Sequence, residues 1–298
     1  MKKITLLLLS ILILLSVVVL AILLPAHSQI RAIEPPLPEL AAIQAALEVE
    51  PGPVSIHYIN SASQSGPGTR LGHPGVLVSW PSGKQFLIDT GMRPDAAIAF
   101  GKSIELVMGA DPAVPHGSLA EQLGEAVDSV AGIAFTHLHS DHTDGLGSIC
   151  ASQRQPAIVY QVPLQYREQN HTTTPGLDHL QGASCARQEL EGKEIMPVPG
   201  FPGLIAISLG GHTPGSTLYV VKLEGSYWMF SGDITNDKAS ILRDLPKHWL
   251  YSTFIVPEHV ERTALLRQWL RDLDAREDIV VLPAHDVDTM ADHLPSIL

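Results

Sequence analysis

The chain has 298 residues, enough for one large domain or two small ones, and 45% are hydrophobic, enough for a sizeable core. Aromatic residues are only 5%, so aliphatic side chains must fill most of it. With 19 Lys and Arg against 31 Asp and Glu, the formal net charge is −12. That argues against a nucleic-acid partner, because phosphate binding needs clustered cations, and it leaves room for bound divalent metal.

Lys2 and Lys3 precede residues 4–24, which carry no charge and only Thr5, Ser10 and Ser16 as polar breaks. As a helix this segment spans about 30 Å, the thickness of a bilayer core. Residues 1–24 therefore read as a membrane anchor. Ala26-His27-Ser28 is a small-x-small cleavage pattern, so a cleaved signal segment is the alternative. Either way the lysines stay inside, and the rest is expected to be extracytoplasmic, in a periplasm. Residues 25–52, with "EPPLPEL" and "EPGP", read as a Pro-rich tether containing one short helix at "ELAAIQAALEVE". Residues 53–298 form the folded domain.

Within it, "VSIHYI", "GVLVSW" and "QFLIDTG" read as consecutive strands separated by Gly, Pro and Ser turns. "AAIAFGKSIELVMGA" and "SLAEQLGEAV" read as helices, and "GIAFTH" as a strand. "AIVYQV" is a further strand, and "PLQYREQ" a short helix opened by proline. Residues 169–183 show no periodicity and read as a long loop. "GLIAISL", "STLYVVKL" and "SYWMFSGD" are three more strands. "EHVERTALLRQWLRDLDA" is an amphipathic helix, "DIVVLPAH" a last strand, and the chain closes on a helical tail. Strands in two groups, each followed by helix, point to an α/β fold with two sheets face to face and helices outside, a four-layer αββα sandwich; the same order is compatible with a doubly wound sheet. Cys150 and Cys185 are the only cysteines; they are either a disulfide or two buried thiols, and neither has metal-type spacing.

The stretch "FTHLHSDHTDGLG" concentrates the chemistry. His137 and His139 lie two apart at a strand end, so their rings should project together. Asp141 and His142 follow at once. Three imidazoles and a carboxylate without thiolate suit zinc, and also iron or manganese. Three later residues each end an apolar run: His212 in "LGGHTPGS", Asp233 in "FSGD" and His285 in "VVLPAHD". Asp144 reads as part of the turn at Gly145 rather than as a ligand.

With the earlier "FLIDTG", these motifs make the chain resemble the metallo-β-lactamase-fold superfamily over roughly residues 53–290. The resemblance implies that His137, His139 and His212 bind one metal, that Asp141, His142 and His285 bind a second, and that Asp233 bridges. Asp89 in "IDTG" would orient the site from behind. Two zinc ions are implied, with a hydroxide between them that attacks a small ester, lactone or thioester. Asp141 or Asp233 would hand a proton to the leaving group.

The resemblance points to the glyoxalase II and lactonase-like branch, which shares the bridging aspartate. Penicillin-cleaving relatives generally lack it, so β-lactamase activity is a weaker alternative; phosphodiesterase activity is a further one. Glyoxalase II enzymes add a basic C-terminal region; only 13 residues follow His285 here, none of them Lys or Arg. Lactonases carry a tyrosine three residues after the bridging aspartate; Asn236 stands there, with Tyr166 and Tyr219 as possible substitutes. A mononuclear-iron persulfide dioxygenase-like oxidoreductase is the alternative class, and a tethered metal-binding protein is a non-enzymatic one. Expected partners are a small-molecule substrate and, through residues 4–24 if they are retained, a membrane.

Overall fold

Side chains of a strand alternate between the faces of a sheet, and here most central strands are apolar on both. The structure, a computed structural model, describes residues 2–66 and 69–297. A first sheet contains β1 (Ser55–Gly66), β2 (Thr69–Ser79), β3 (Gln85–Ile88), β4 (Val114–Pro115), β5 (Val130–Ala134), β6 (Ile158–Gln161) and β7 (Ala186–Glu189), in the order β4-β1-β2-β3-β5-β6-β7. The second contains β8 (Met196–Pro197), β9 (Leu204–Ser208), β10 (Thr217–Leu223), β11 (Ser226–Phe230) and β12 (Ile279–Leu282), in the order β12-β11-β10-β9-β8.

Alternation divides the core into three apolar layers. Val76, Val78, Phe86, Ile88 and Ala134 of the first sheet meet Leu204, Ala206, Tyr219, Val221, Phe230 and Leu282 of the second. The residues between them point the other way. Leu77, Leu87, Ile133 and Phe135 pack under Leu119 of α4 (Leu119–Leu123) and under Leu146 and Ile149 of α6 (Leu146–Ser152). Ile205, Ile207, Leu218, Val220, Met229 and Val281 pack under Leu266, Leu270 and Leu273 of α10 (Val260–Asp274). Three apolar layers between four layers of structure are the expected αββα sandwich. Each fully buried aliphatic side chain adds about 1.5–3 kcal/mol.

Strand direction brings the site together. β3 and β5 are parallel, so Asp89 and the His137–His142 loop leave the first sheet at one edge. β11 and β12 are parallel, so Asp233 and His285 also share an edge. β9 is antiparallel to β10, and β10 to β11, so β9 runs with β11 and delivers His212 to that edge as well.

Four local readings change. β5 stops at Ala134, so His137 and His139 stand on the loop before α5 (Ser140–Thr143) rather than on the strand itself. Residues 169–183 are not a loop throughout: α8 (Thr174–Gly182) forms there, with Pro175 in its first turn and Leu180 buried beneath. Its hydrophobic stripe is too short to show as periodicity. The stretch read as a tether lies on the second sheet: α2 (Leu40–Leu47) buries Ile43 and Leu47 in the outer core, and Arg262 Nη2 donates to Pro35 O at 2.5 Å. The apolar N-terminal segment is part of α1 (Lys2–Arg31), which continues past Pro25. Cys150 and Cys185 form a disulfide with Cα atoms 5.5 Å apart, pinning α6 to the turn before β7.

Candidate metal centre

Asp89 directly follows β3 with φ 61°, a left-handed conformation uncommon outside glycine but tolerated by aspartate. Its carboxylate organises the loop after β5. Oδ1 accepts from Thr136 N at 2.8 Å, and Oδ2 from Thr136 Oγ1 at 2.7 Å. Oδ2 also lies 2.9 Å from His142 Nδ1. A carboxylate only accepts, so the Nδ1 proton is held there and His142 Nε2 is turned inward. Gly232, just before Asp233, has φ 58°, and a Cβ on it would come within 2.8 Å of Thr136 Cβ. Only glycine lets the end of β11 approach the loop this closely.

The two halves of the site then meet. His137 Nε2 lies 2.9 Å from His139 Nδ1. The His212 ring centroid is 4.8 Å from both of theirs. Asp233 Oδ2 is 3.9 Å from His137 Nε2, 3.7 Å from His212 Nε2 and 2.9 Å from His285 Nε2, while Oδ1 is 3.4 Å from His142 Nε2. Asp141 Oδ2 is 3.5 Å from His285 Nε2 and 3.7 Å from His142 Nε2. Every one of these side chains is buried. Their donor atoms form three groups, each within 4.8 Å: His137, His139, His212 and Asp233 in one, His142, Asp233 and His285 in a second, and Asp141 and His285 with His73 in a third. All seven residues expected to bind metal therefore converge, with Asp89 behind them.

The donor set fits metal ions. His142 Nε2, His212 Nε2 and Asp233 Oδ1 are buried and have no hydrogen-bond partner, although each faces the common centre. A buried polar atom left unpaired costs about 1–3 kcal/mol, and an ion at the centre removes that cost. The titration of the imidazoles divides the same way. Burial, then the neighbouring His142 and His139, hold His137 well below its usual range. Burial and His212 push His139 down to about 3. Burial and Lys247 lower His212. Neutral imidazoles keep the lone pair that a metal needs. His142 and His285 behave oppositely. Burial opposes their charge, but Asp89, Asp141 and Asp233 outweigh it around His142, and Asp233 and Asp141 around His285. That half of the site attracts positive charge.

Four contributors are not evident from the motifs. His73 on β2 is buried, with Nδ1 3.4 Å from Asp141 Oδ2 and its ring 5.1 Å from His285. The only signal for it is a polar residue inside the strand, in "GHPG". Glu258 Oε1 lies 2.5 Å from His212 Nδ1, so that Nε2 faces inward. Burial raises Glu258, but Lys247 and His212 outweigh that and hold it at about 2. Lys247 Nζ donates to Asp233 O at 2.6 Å and lies 3.2 Å from Glu258 Oε1. Tyr251, in a π-helical turn (Tyr251–Ile255), sits 5.3 Å below Lys247 Nζ. Burial, then Glu258, Asp233 and Asp141, push its phenol well above the usual range, so it stays a donor.

Other candidates lie elsewhere. Tyr219 is fully buried between the sheets, and Tyr166 is exposed on α7 (Pro163–Arg167). Asp144 is outside the donor groups; its Oδ1 accepts from Arg93 Nη2 at 2.9 Å and its Oδ2 from Arg93 N at 2.8 Å. His179 Nδ1 meets Thr143 Oγ1 at 2.9 Å, one layer behind the site.

The model of the metallo-beta-lactamase superfamily matches residues 69–285. No curated protein matches the chain. Among similar solved structures is a single-substitution variant of AiiA from B. thuringiensis with N-decanoyl-L-homoserine bound at its active site. It is 16% identical, covers 82% of this chain and 98% of its own, and has a TM-score of 0.60. An N-acyl homoserine lactone hydrolase with N-hexanoyl-L-homoserine at its catalytic metal center is 15% identical, with 82% and 98% covered and a TM-score of 0.60. AidC, a dizinc quorum-quenching lactonase, is 14% identical, with 73% of each chain covered and a TM-score of 0.50. At these identities the likeness is one of fold.

Proposed function

The chain belongs to the metallo-beta-lactamase superfamily, and from that premise we propose that it is a metal-dependent hydrolase of esters, lactones or thioesters with a two-zinc site. The observation that carries this reading is Asp233, whose carboxylate belongs to two of the three donor groups, the one with His137, His139 and His212 and the one with His142 and His285. One carboxylate between two clusters suits a bridged ion pair. Zinc is proposed because the donors are imidazole and carboxylate; iron and manganese accept the same donors. The N-acyl-L-homoserines bound in structures of similar fold support the substrate class.

When bound, the ions supply Lewis acidity toward a carbonyl oxygen and bring the pKa of a water toward about 7. His137, His139, His212 and Asp233 would hold one ion; Asp141, His142, His285 and Asp233 the other. Burial alone would raise Asp141, but His142, His73 and His285 outweigh it and keep the carboxylate ionised. Asp141 takes a proton from the attacking water and returns it to the leaving oxygen or sulfur, with Asp233 as the other carboxylate in reach. Tyr251 donates a hydrogen bond to the substrate carbonyl. We place the domain outside the cytoplasm, on the far side of the membrane from Lys2 and Lys3; the uncharged span of residues 4–24 supports this.

The test is metal analysis of the purified full chain, followed by a panel of lactone, thioester, phosphodiester and β-lactam substrates. The expected result is two zinc ions per chain and turnover of lactone or thioester that a chelator abolishes and zinc restores. Asp141→Asn should keep most metal and lose about 100-fold or more in kcat. One iron per chain with oxygen uptake would instead assign the oxidoreductase class.

A further inference from the structure

Two segments grip the base of α1, and the same two segments touch the histidines of the metal centre. His27 Nε2 lies 3.0 Å from Thr253 O. Gln29 Nε2 donates to Glu168 Oε2 at 3.0 Å and to Gln169 O at 3.1 Å. Shortly after Gln169, Thr172 Oγ1 lies 3.2 Å from His139 Nε2. On either side of Thr253, Lys247 reaches Asp233 O and Glu258 reaches His212 Nδ1. Each grip on the helix base therefore lies within six residues of a contact with the metal centre.

These segments also carry an unusual surface. Tyr166, Trp249, Leu250, Phe254 and Ile255 are 53%, 63%, 46%, 51% and 44% exposed. The rings of Trp249 and Phe254 lie 6.2 Å apart. Clustered large apolar side chains on a folded domain mark a surface that meets something apolar. α1 shows what that is. Leu23, Ala26 and Ile30 pack its base onto the protein, whereas Leu8, Leu12, Leu14, Val17 and Leu20 stand exposed above it. A helix with this span, rooted between segments that expose Trp249, Phe254 and Tyr166, resembles a membrane helix with interfacial aromatic residues at its end.

We infer that the rim formed by Tyr166 and residues 249–255 sits in the lipid–water interface and opens the metal centre toward the bilayer. The substrate is then a membrane-partitioned amphiphile: an ester or lactone whose acyl chain stays in the lipid while its polar end enters the site. The substrate half rests on the hydrolase reading above; the seating of the rim does not. The net charge of −12 favours a zwitterionic surface over an anionic one.

The test uses the metal-loaded full chain in phosphatidylcholine vesicles containing lipids with a quencher near the headgroup. The protein should float with the vesicles, and Trp249 should supply most of the quenchable fluorescence, which Trp249→Phe removes. Trp80 is buried between the sheets and serves as the unquenched reference. Trp249→Ser with Phe254→Ser should raise KM about tenfold for a long-chain ester in vesicles, the equivalent of losing a modest apolar contact, and leave kcat in place. Flotation with an unquenched Trp249, or quenching lost to a soluble dimer that buries Trp249, overturns the inference; so does a protein that fails to float. A quenched Trp249 on a protein that turns over no ester of any chain length supports the rim and removes the hydrolase reading. Turnover of soluble short-chain esters at an unquenched Trp249 does the reverse.

Discussion

Asp89 holds His142 by a 2.9 Å contact between Oδ2 and Nδ1, from a backbone turn with φ 61°. The same carboxylate carries the Thr136 backbone and hydroxyl, so one side chain sets both the loop and the imidazole tautomer. Asp89→Asn keeps the left-handed turn, which asparagine tolerates, but removes the charge. Zinc affinity should fall about 10–100-fold at the site containing His142, and the metal-free protein should itself lose about 1–3 kcal/mol, because the amide turns a donor toward groups that donate to the carboxylate. Competition titration against a chromophoric chelator measures it; unchanged affinity would remove Asp89 from its orienting part.

Glu258 plays the matching part for His212, and it also neutralises Lys247. Glu258→Gln should weaken the other metal site by a similar factor. It should also leave a buried ammonium without its carboxylate, at a cost of roughly 3–5 kcal/mol. Chemical denaturation of the metal-free protein and a two-site zinc titration read these effects separately. Restoring stability in Glu258→Gln/Lys247→Met would attribute the loss to the ion pair.

His73 presses on Asp141 rather than on Asp233. Burial lowers its pKa against the pull of Asp141, so it is a neutral imidazole at pH 7. His73→Phe preserves its edge contact with Phe100 and removes the nitrogen. The expected result is a kcat lower by about 10–100-fold with the metal content retained. Loss of one metal ion per chain would make His73 a ligand instead.

The Cys150–Cys185 bridge closes a separation of 35 residues. By loop entropy alone it stabilises the fold by about 3–4 kcal/mol. Cys150→Ser with Cys185→Ser should lower the melting temperature by about 5–10 °C in a domain of this size. Differential scanning calorimetry checks it, and an unchanged midpoint would show that the bridge adds nothing.

Residue pattern alone indicated the layers and the residues that converge on the candidate metal centre. Period-two apolar runs such as "GVLVSW" and "GLIAISL" carry their burial locally, because alternation depends only on strand geometry. His137, His139, Asp141, His142, His212, Asp233 and His285 were legible because each is a metal-donor type placed just after an apolar run. The supporting residues were not. Glu258 serves His212 across 46 positions, and His73 meets Asp141 only because β2 and the loop after β5 share an edge. Nothing local distinguishes a carboxylate that aims an imidazole from one that caps a helix. α8 and the packed stretch before β1 were hidden for the same reason: their few apolar residues acquire meaning only from the surface they cover. Tertiary contact also decided where α1 stands, because His27 and Gln29 root it beside the segments that touch the centre. Chain order separates that helix from the site; folding roots it on the segments that touch the site.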